Sequence, residues 1–448
     1  MKVDKAIKAT FNTNLIILNG FLVALLVGTI LLMLPVSSAS GNGTDFITAL
    51  FTATTSLCVT GLVVVPTYAY WSIFGKVIIL ILIQLGGLGI ISFTIGFLII
   101  IGKKISLKER KMIQESYNLD SAQGVLKILR KIFGITLKIE GIGAILYSIQ
   151  FIPEYGIVKG ICYSVFHSVS AFCNAGIDII GNDSLVKYHG NVLVNFTTVM
   201  LIICGGIGFI VWLDIGGIIS EIRNKKLSPN KFIERMKLHT KLVLITTAIL
   251  VGGGFLFILL FEYNNPDTLG NMTFGNKCLA ALFEAVTLRT AGFITVPQAG
   301  FRDGTFMIMC GLMIVGGSPF GTAGGIKTTT LALIFLLTWS TIKGKEDIEV
   351  CRRRINKQNV RSAVAIMALS FTEDAPLKVI TFEAVSALGT VGLSMDFTAS
   401  LTAIGKLIII VLMFFGRVGP ITIAMAMAGR ARKDRKITNY PEKRVMIG

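Results

Sequence analysis

Apolar residues run along this chain in blocks long enough to cross a bilayer, and between the blocks one shorter pattern returns four times. Its first copy is Phe51-Thr-Ala-Thr-Thr-Ser-Leu-Cys58-Val-Thr-Gly61, an apolar, small and hydroxyl-bearing run that closes on glycine. The others run from Phe166 to Gly176, from Phe283 to Gly292 and from Phe382 to Gly392, with Phe-to-Gly spacings of 10, 10, 9 and 10 residues. Recurrence this regular indicates duplicated architecture. Each copy predicts a helix of two or three turns followed by an extended loop, too short for a bilayer core that needs roughly 20 apolar residues, and therefore re-entrant. Glycine in the loop tolerates torsions that turn neighbouring carbonyls toward a common axis, where they can replace the water around a dehydrated cation. One copy alone reads as a buried hairpin closed by a turn glycine; four with matched flanks read as a filter.

The flanking apolar blocks predict two spans per unit. Leu15–Pro35 and Trp71–Ile101 flank the first copy, Ile132–Ile152 and Val192–Ile219 the second, and Leu242–Phe261 precedes the third. An even number of spans returns the chain to its starting side. All four loops then enter from one face, which weighs against carriers built from oppositely oriented halves. The prediction is an all-α polytopic membrane protein of four parallel helix–pore loop–helix repeats, with eight spans and four pore helices in pseudo-four-fold symmetry around one pore. The units are a lead at 1–14, repeats at 15–111, 112–226, 227–345 and 346–428, and a tail at 429–448.

Two segments depart from the repeat. In unit three the second span is interrupted by Gly316-Gly-Ser-Pro-Phe-Gly-Thr-Ala-Gly-Gly-Ile-Lys327-Thr-Thr-Thr330. Irregular backbone at membrane depth survives only where protein buries it or water lines it. This stretch therefore predicts a loop between two half-helices, projecting toward the pore beneath the filter. It imitates a phosphate-binding loop, but Ile326 stands where that motif needs glycine. In unit four, glycine-to-glycine spacing falls from 115 and 116 residues to 100. The shortfall lies at the first span, where Val360–Ser370 offers only about eleven apolar positions against the roughly 20 required; this predicts a stretch missing between Ala363 and Thr372. The last span, Leu407–Ala428, carries Arg417 mid-helix, either in a structural ion pair or lining the inner cavity and touching the unit-three loop.

Composition agrees with a membrane chain: 53% hydrophobic and 15% charged residues over 448 positions, with a mean hydropathy of +0.74. The net charge of +18 is not a nucleic-acid signature, because 32 of the 43 Lys and Arg fall in five clusters with no interleaved aromatics. Those clusters, at Met1–Lys8, Lys103–Lys131, Arg223–Lys241, Lys343–Arg361 and Arg430–Arg444, fit the positive-inside pattern with both termini cytoplasmic. The seven cysteines and three histidines show no metal-ligand spacing and predict neither a metal site nor disulfides. No catalytic cluster of acids, histidines or cysteines lies within the spans, so the chain is not expected to be an enzyme.

The filter carbonyls are expected near Val59 and Thr60, Asn174 and Ala175, Thr290 and Ala291, and Thr390 and Val391, with Gly61, Gly176, Gly292 and Gly392 permitting the geometry. With one glycine shared per loop, fewer carbonyl rings stack than in a Gly-x-Gly filter, so discrimination between K⁺ and Na⁺ should be modest. Asp178 and Asp396, just past their glycines, either concentrate cations at the outer mouth or face solvent. Glu284, Arg289 and Glu383 are expected to pair behind the filter.

The loops Cys58-Val-Thr-Gly61-Leu, Asn174-Ala-Gly176-Ile, Arg289-Thr-Ala-Gly292-Phe and Gly389-Thr-Val-Gly392-Leu, with the tail Tyr440-Pro-Glu, resemble the Ktr/Trk/HKT superfamily. Within it the chain is most similar to the KtrB-type membrane subunits of bacterial Ktr potassium uptake systems. The resemblance implies K⁺ uptake, often Na⁺-dependent, by a homodimer in the bacterial cell membrane, each subunit with its own pore. It also implies assembly on a cytosolic KtrA-like ring of RCK subunits that binds ATP and ADP, so that this chain itself binds no nucleotide. The family's gate is the unit-three intramembrane loop, matching Gly316, Gly317, Ser318, Gly321, Thr322, Gly324, Gly325 and Lys327, together with the arginine of the last span, matching Arg417.

Overall fold

The computed structural model describes residues 2–89, 125–181, 183–224, 228–319, 321–329, 331–332 and 375–418, which are helical with no strand among them. The sequence expectations for the rest of the second span of unit one, for residues 363–372 and for the C-terminal tail lie outside the described residues.

Unit one is α1 (Lys2–Met33), α2 (Phe46–Leu57) and α3 (Ile73–Leu88). The basic lead is thus continuous with the first apolar helix rather than separate from it. Asp45 caps α2 by accepting from the Thr48 N–H at 2.9 Å, and Ser72 caps α3 through the Gly75 N–H at 3.2 Å. These caps satisfy donors that a helix start otherwise leaves orphaned. Unit two begins with α4 (Val125–Tyr155), which passes into α5 (Ile157–Phe172) through the single residue Gly156, at φ 81°. Its second span differs from the continuous helix expected over Val192–Ile219. It is α6 (Val192–Gly206) and α7 (Phe209–Arg223), turned by 96° at a break whose Gly208 has φ 91°. The physical reason is local: only glycine adopts such a torsion without strain, and a Cβ there would fall 2.6 Å from the Pro319 carbonyl oxygen. Unit three is α8 (Leu238–Glu262), α9 (Phe274–Thr287) and α10 (Asp303–Ile314); unit four is represented by α11 (Leu377–Gly389) and α12 (Ala403–Val418).

Among the described residues, 126–155 and α8 are each long and apolar enough to span alone, and α6 with α7 makes a bent third. Burial is distributed as in lipid rather than water. Val23, Val27 and Ile30 on α1, Ile142, Ile145 and Ile149 on α4, and Ile245, Ile249 and Leu260 on α8 are exposed. Thr54, Thr55 and Ser56 on α2 and Ser168 and Ser170 on α5 are fully buried. An apolar exterior around a hydroxyl-lined interior suits hydrocarbon as solvent.

Candidate functional site

The short helices α2, α5, α9 and α11 all end at one place. Beyond each C-terminus the chain takes the same two left-handed steps with one residue between them. The first falls at Val59 (φ 56°), Asn174 (60°), Thr290 (65°) and Thr390 (53°), the second at Gly61 (101°), Gly176 (64°), Gly292 (79°) and Gly392 (90°). A non-glycine residue held left-handed costs on the order of 1–3 kcal/mol and persists only where its surroundings over-determine it. Four at matched positions mark a shared, constrained structure.

The four glycines are neighbours in a closed cycle. A Cβ built on Gly61 would lie 2.5 Å from the Ala175 carbonyl oxygen and 3.3 Å from the Gly392 Cα. One on Gly176 would meet the Ala291 carbonyl and lie 2.7 Å from the Gly292 Cα. One on Gly292 would lie 2.6 Å from the Val391 carbonyl oxygen, and one on Gly392 would meet the Thr60 carbonyl and come within 2.8 Å of the Gly61 Cα. The residue before each glycine thus lays its carbonyl against the preceding loop's glycine, 4 to 3 to 2 to 1 and back to 4. Side chains could not be accommodated there, which accounts for glycine in every copy. The carbonyl ends of four helices, each carrying partial negative charge, are directed to this ring. The hydroxyl oxygens of Thr60, Thr290 and Thr390 are buried in these loops with no hydrogen-bond partner among the described residues.

Each loop is anchored by its own helix, through a position the sequence reading passed over. Four residues beyond the repeat phenylalanine stands a hydroxyl in every copy: Thr55, Ser170, Thr287 and Ser386. Thr55 Oγ1 accepts from the Gly61 N–H at 3.0 Å and Ser386 Oγ from the Gly392 N–H at 3.1 Å, while Ser170 and Thr287 each donate at 2.7 Å to the carbonyl just past the glycine, of Ile177 and Phe293. The backbone carbonyls of the same residues accept from Thr60, Ala175, Ala291 and Val391 at 2.8–2.9 Å. In unit three this bond closes one residue earlier, which absorbs the shorter Phe-to-Gly spacing and returns Gly292 to the ring.

The segment from Gly316 lies against this assembly. Its ends pair, with the Gly316 N–H donating to Ile326 O and the Ile326 N–H to Ile314 O, both at 3.0 Å. Ser318 N–H donates to Gly206 O at 2.8 Å and Thr322 N–H to Gly205 O at 3.2 Å, across to unit two. Thr322 Oγ1 reaches Phe172 O at 3.0 Å and Asn174 Oδ1 at 3.1 Å. A Cβ on Gly317 or Gly321 would lie within 3 Å of Gly206 O, and Gly324 abuts Thr390 of unit four. Arg417 donates through Nη1 to Thr322 O and through Nη2 to Gly86 O, tying the segment to units one and four. No ion pair of Arg417 exists among the described residues. Lys327 Nζ stays within the segment, on Ala323 O at 2.8 Å, and Gly325 supplies a left-handed turn at φ 64°.

The expected pairing of Glu284, Arg289 and Glu383 takes a different form. Glu284 accepts from Gln298 at 3.2 Å, Glu383 from Ser394 at 2.9 Å and from Thr398, and Arg289 Nη2 donates to Gly316 O at 3.3 Å. The partner of each acid is a neutral group on the adjoining loop rather than an opposite charge, and Glu284 Oε1 has none among the described residues. Past the ring, Asp396 is exposed and Asp178 half-buried. Burial pushes the Asp178 carboxyl up to about 7, opposed by hydrogen bonds from the Gly181 and Ile180 backbone and from Ser184.

The TrkH cation transport protein family matches residues 2–435. The chain is 40% identical to the potassium/sodium uptake protein NtpJ of Enterococcus hirae, over all of this chain and 99% of that protein. It is 38% identical to the Ktr system potassium uptake protein B of Bacillus subtilis over the whole of both. The crystal structure of the potassium transporter TrkH from Vibrio parahaemolyticus superposes with a TM-score of 0.67 at 17% identity, covering 91% of this chain and 84% of that one.

Proposed function

The chain belongs to the TrkH family of cation transport proteins, ion transporters rather than enzymes, and on that premise we propose that it takes up K⁺ through the ring of four loops. The closed cycle of Gly61, Gly176, Gly292 and Gly392 carries this reading, because it sets the carbonyls of Thr60, Ala175, Ala291 and Val391 at one level, where they can stand in for a cation's hydration shell. The hydroxyls of Thr60, next to its glycine, and of Thr290 and Thr390, one residue earlier in their loops, have no partner among the described residues and add acceptors along the loops, and the left-handed Val59, Asn174, Thr290 and Thr390 aim the preceding carbonyls. One carbonyl level gives modest preference for K⁺ over Na⁺, in keeping with the sodium in the name of the Enterococcus relative.

In this proposal the four units stand in pseudo-four-fold symmetry as eight spans with both termini in the cytoplasm of a bacterial cell. The segment from Gly316 to Lys327 is the gate, and Arg417 is its latch. The gate is moved by a cytosolic nucleotide-binding RCK ring of the KtrA kind acting on a homodimer, with Na⁺ favouring uptake. Support for the gate is positional: it is irregular backbone at membrane depth, seated on the carbonyls of unit two and held by Arg417 of unit four. Rubidium uptake into proteoliposomes tests the whole. Uptake blocked by excess K⁺ is expected, and none with any RCK ring under ATP or ADP overturns the proposal.

A further inference from the structure

A cavity of about 790 Å³ opens between residues 127–131 of α4, the length of α7 and the residues leading into α8. Two basic clusters remote in sequence meet on its rim: Lys127 and Lys131, one turn apart on α4, and Arg235 and Lys237 ahead of α8. Ile210, Leu213 and Ile218 of α7 make its floor apolar. The two acids in it are already engaged. Asp214 accepts from the Lys237 backbone N–H at 3.0 Å and the Thr240 hydroxyl at 2.6 Å, and Glu221 lies 3.4 Å from Arg235 Nε. The ammonium groups of Lys127, Lys131 and Lys237 have no ion-pair partner among the described residues.

We propose that this cavity binds the phosphate-bearing headgroup of an anionic phospholipid. Four cationic side chains against two acids leave the opening net positive, and lysine ammonium groups suit a phosphate that needs no fixed fork geometry. The apolar floor, continuous with helices whose outer faces expose Leu137 and Ile245, suits the chains below it and would be wasted on a water-soluble anion. Lys127 and Lys131 precede the long apolar run of α4 that begins at Ile132, which places them at the interface and not in hydrocarbon. The wall of the cavity adjoins the floor of the segment beneath the ring. α7 starts directly after Gly208, and the carbonyls of Gly205 and Gly206 on the other side of that break hold Thr322 and Ser318. A headgroup clamping α4, α7 and the start of α8 steadies that floor. The cytoplasmic leaflet rests on the orientation proposed above; the binding does not, and its test reads no flux.

The full-length protein is melted in neutral detergent with phosphatidylglycerol, with phosphatidylcholine or with inorganic phosphate. Phosphatidylglycerol raises the melting temperature by about 5 °C, as a ligand that binds only the folded state does, and the other two additives leave it unmoved. Lys127→Gln/Lys131→Gln/Lys237→Gln loses at least half of that shift, and the triple arginine variant keeps it. Should the glutamine variant fail to fold, Lys131→Glu decides the same point, with loss of at least half the shift expected. A full shift in Lys131→Glu or in the glutamine variant, or an equal shift from phosphatidylcholine or from inorganic phosphate alone, overturns the proposal.

Discussion

The ring and the segment beneath it use the same materials, glycine and hydroxyl residues, and are held in opposite ways. Each ring loop is tied to the helix that delivers it, by bonds spanning four to seven residues of its own unit, such as Gly61 N–H to Thr55 and Gly392 N–H to Ser386. The segment from Gly316 is tied to partners far away in the chain: Gly205, Gly206 and Phe172 in unit two, and Arg417 in unit four. Bonds within a unit persist while that unit is folded. Bonds between units break whenever one unit shifts against another, without unfolding either. The same chemistry is therefore anchored within a unit in one place and between units in the other.

Substitutions at the two places should separate the two kinds of anchoring. The largest effect belongs to the ring. Gly392→Ala forces a side chain into φ 90° and against the Thr60 carbonyl; strain of about 3 kcal/mol corresponds to a fall in rubidium uptake of about a hundredfold. Next is removal of the exchangeable part. Deleting Ser318–Thr328 raises uptake without a cytosolic partner about tenfold, as expected for release of a gate whose open state is populated about one part in ten. Unchanged flux would place the segment among the fixed structures. A smaller effect follows from loosening one ring anchor. Thr55→Val leaves the buried Gly61 N–H unsatisfied at a cost of about 1–3 kcal/mol, and rubidium-over-sodium discrimination in competition uptake should drop about threefold or more. The smallest is electrostatic. With the Asp178 carboxyl at about 7, acidification from pH 8 to pH 6 protonates it and removes negative charge beside the ring. Uptake at low K⁺ then falls about twofold, and Asp178→Asn shows the lower rate at both pH values.

The ring was legible because it is written four times. Phe-to-Gly spacing located every loop, and apolar composition located the helices around them. Hidden instead was what appears once, or what depends on three-dimensional partners. The hydroxyl position at Thr55, Ser170, Thr287 and Ser386 was present in each copy, but its partners change between units from a glycine N–H to a carbonyl, so only geometry discloses its role. The bend in α6 and α7 was foreshadowed by Gly205-Gly206-Ile-Gly208, yet those glycines read equally as a packing face. Only the position of Pro319 shows why Gly208 must turn. Glu284 and Glu383 looked like halves of ion pairs because charge is visible in a sequence, whereas Gln298 and Thr398 meet them only after the chain folds back.

The cyclic contact among the four glycines also bears on how the molecule is made. Its last join, from Val391 and Gly392 to Thr60 and Gly61, connects a late product of the ribosome to one of the earliest. A nascent chain halted before residue 392 leaves an open arc, so the loops made first wait on the last for their closing contact.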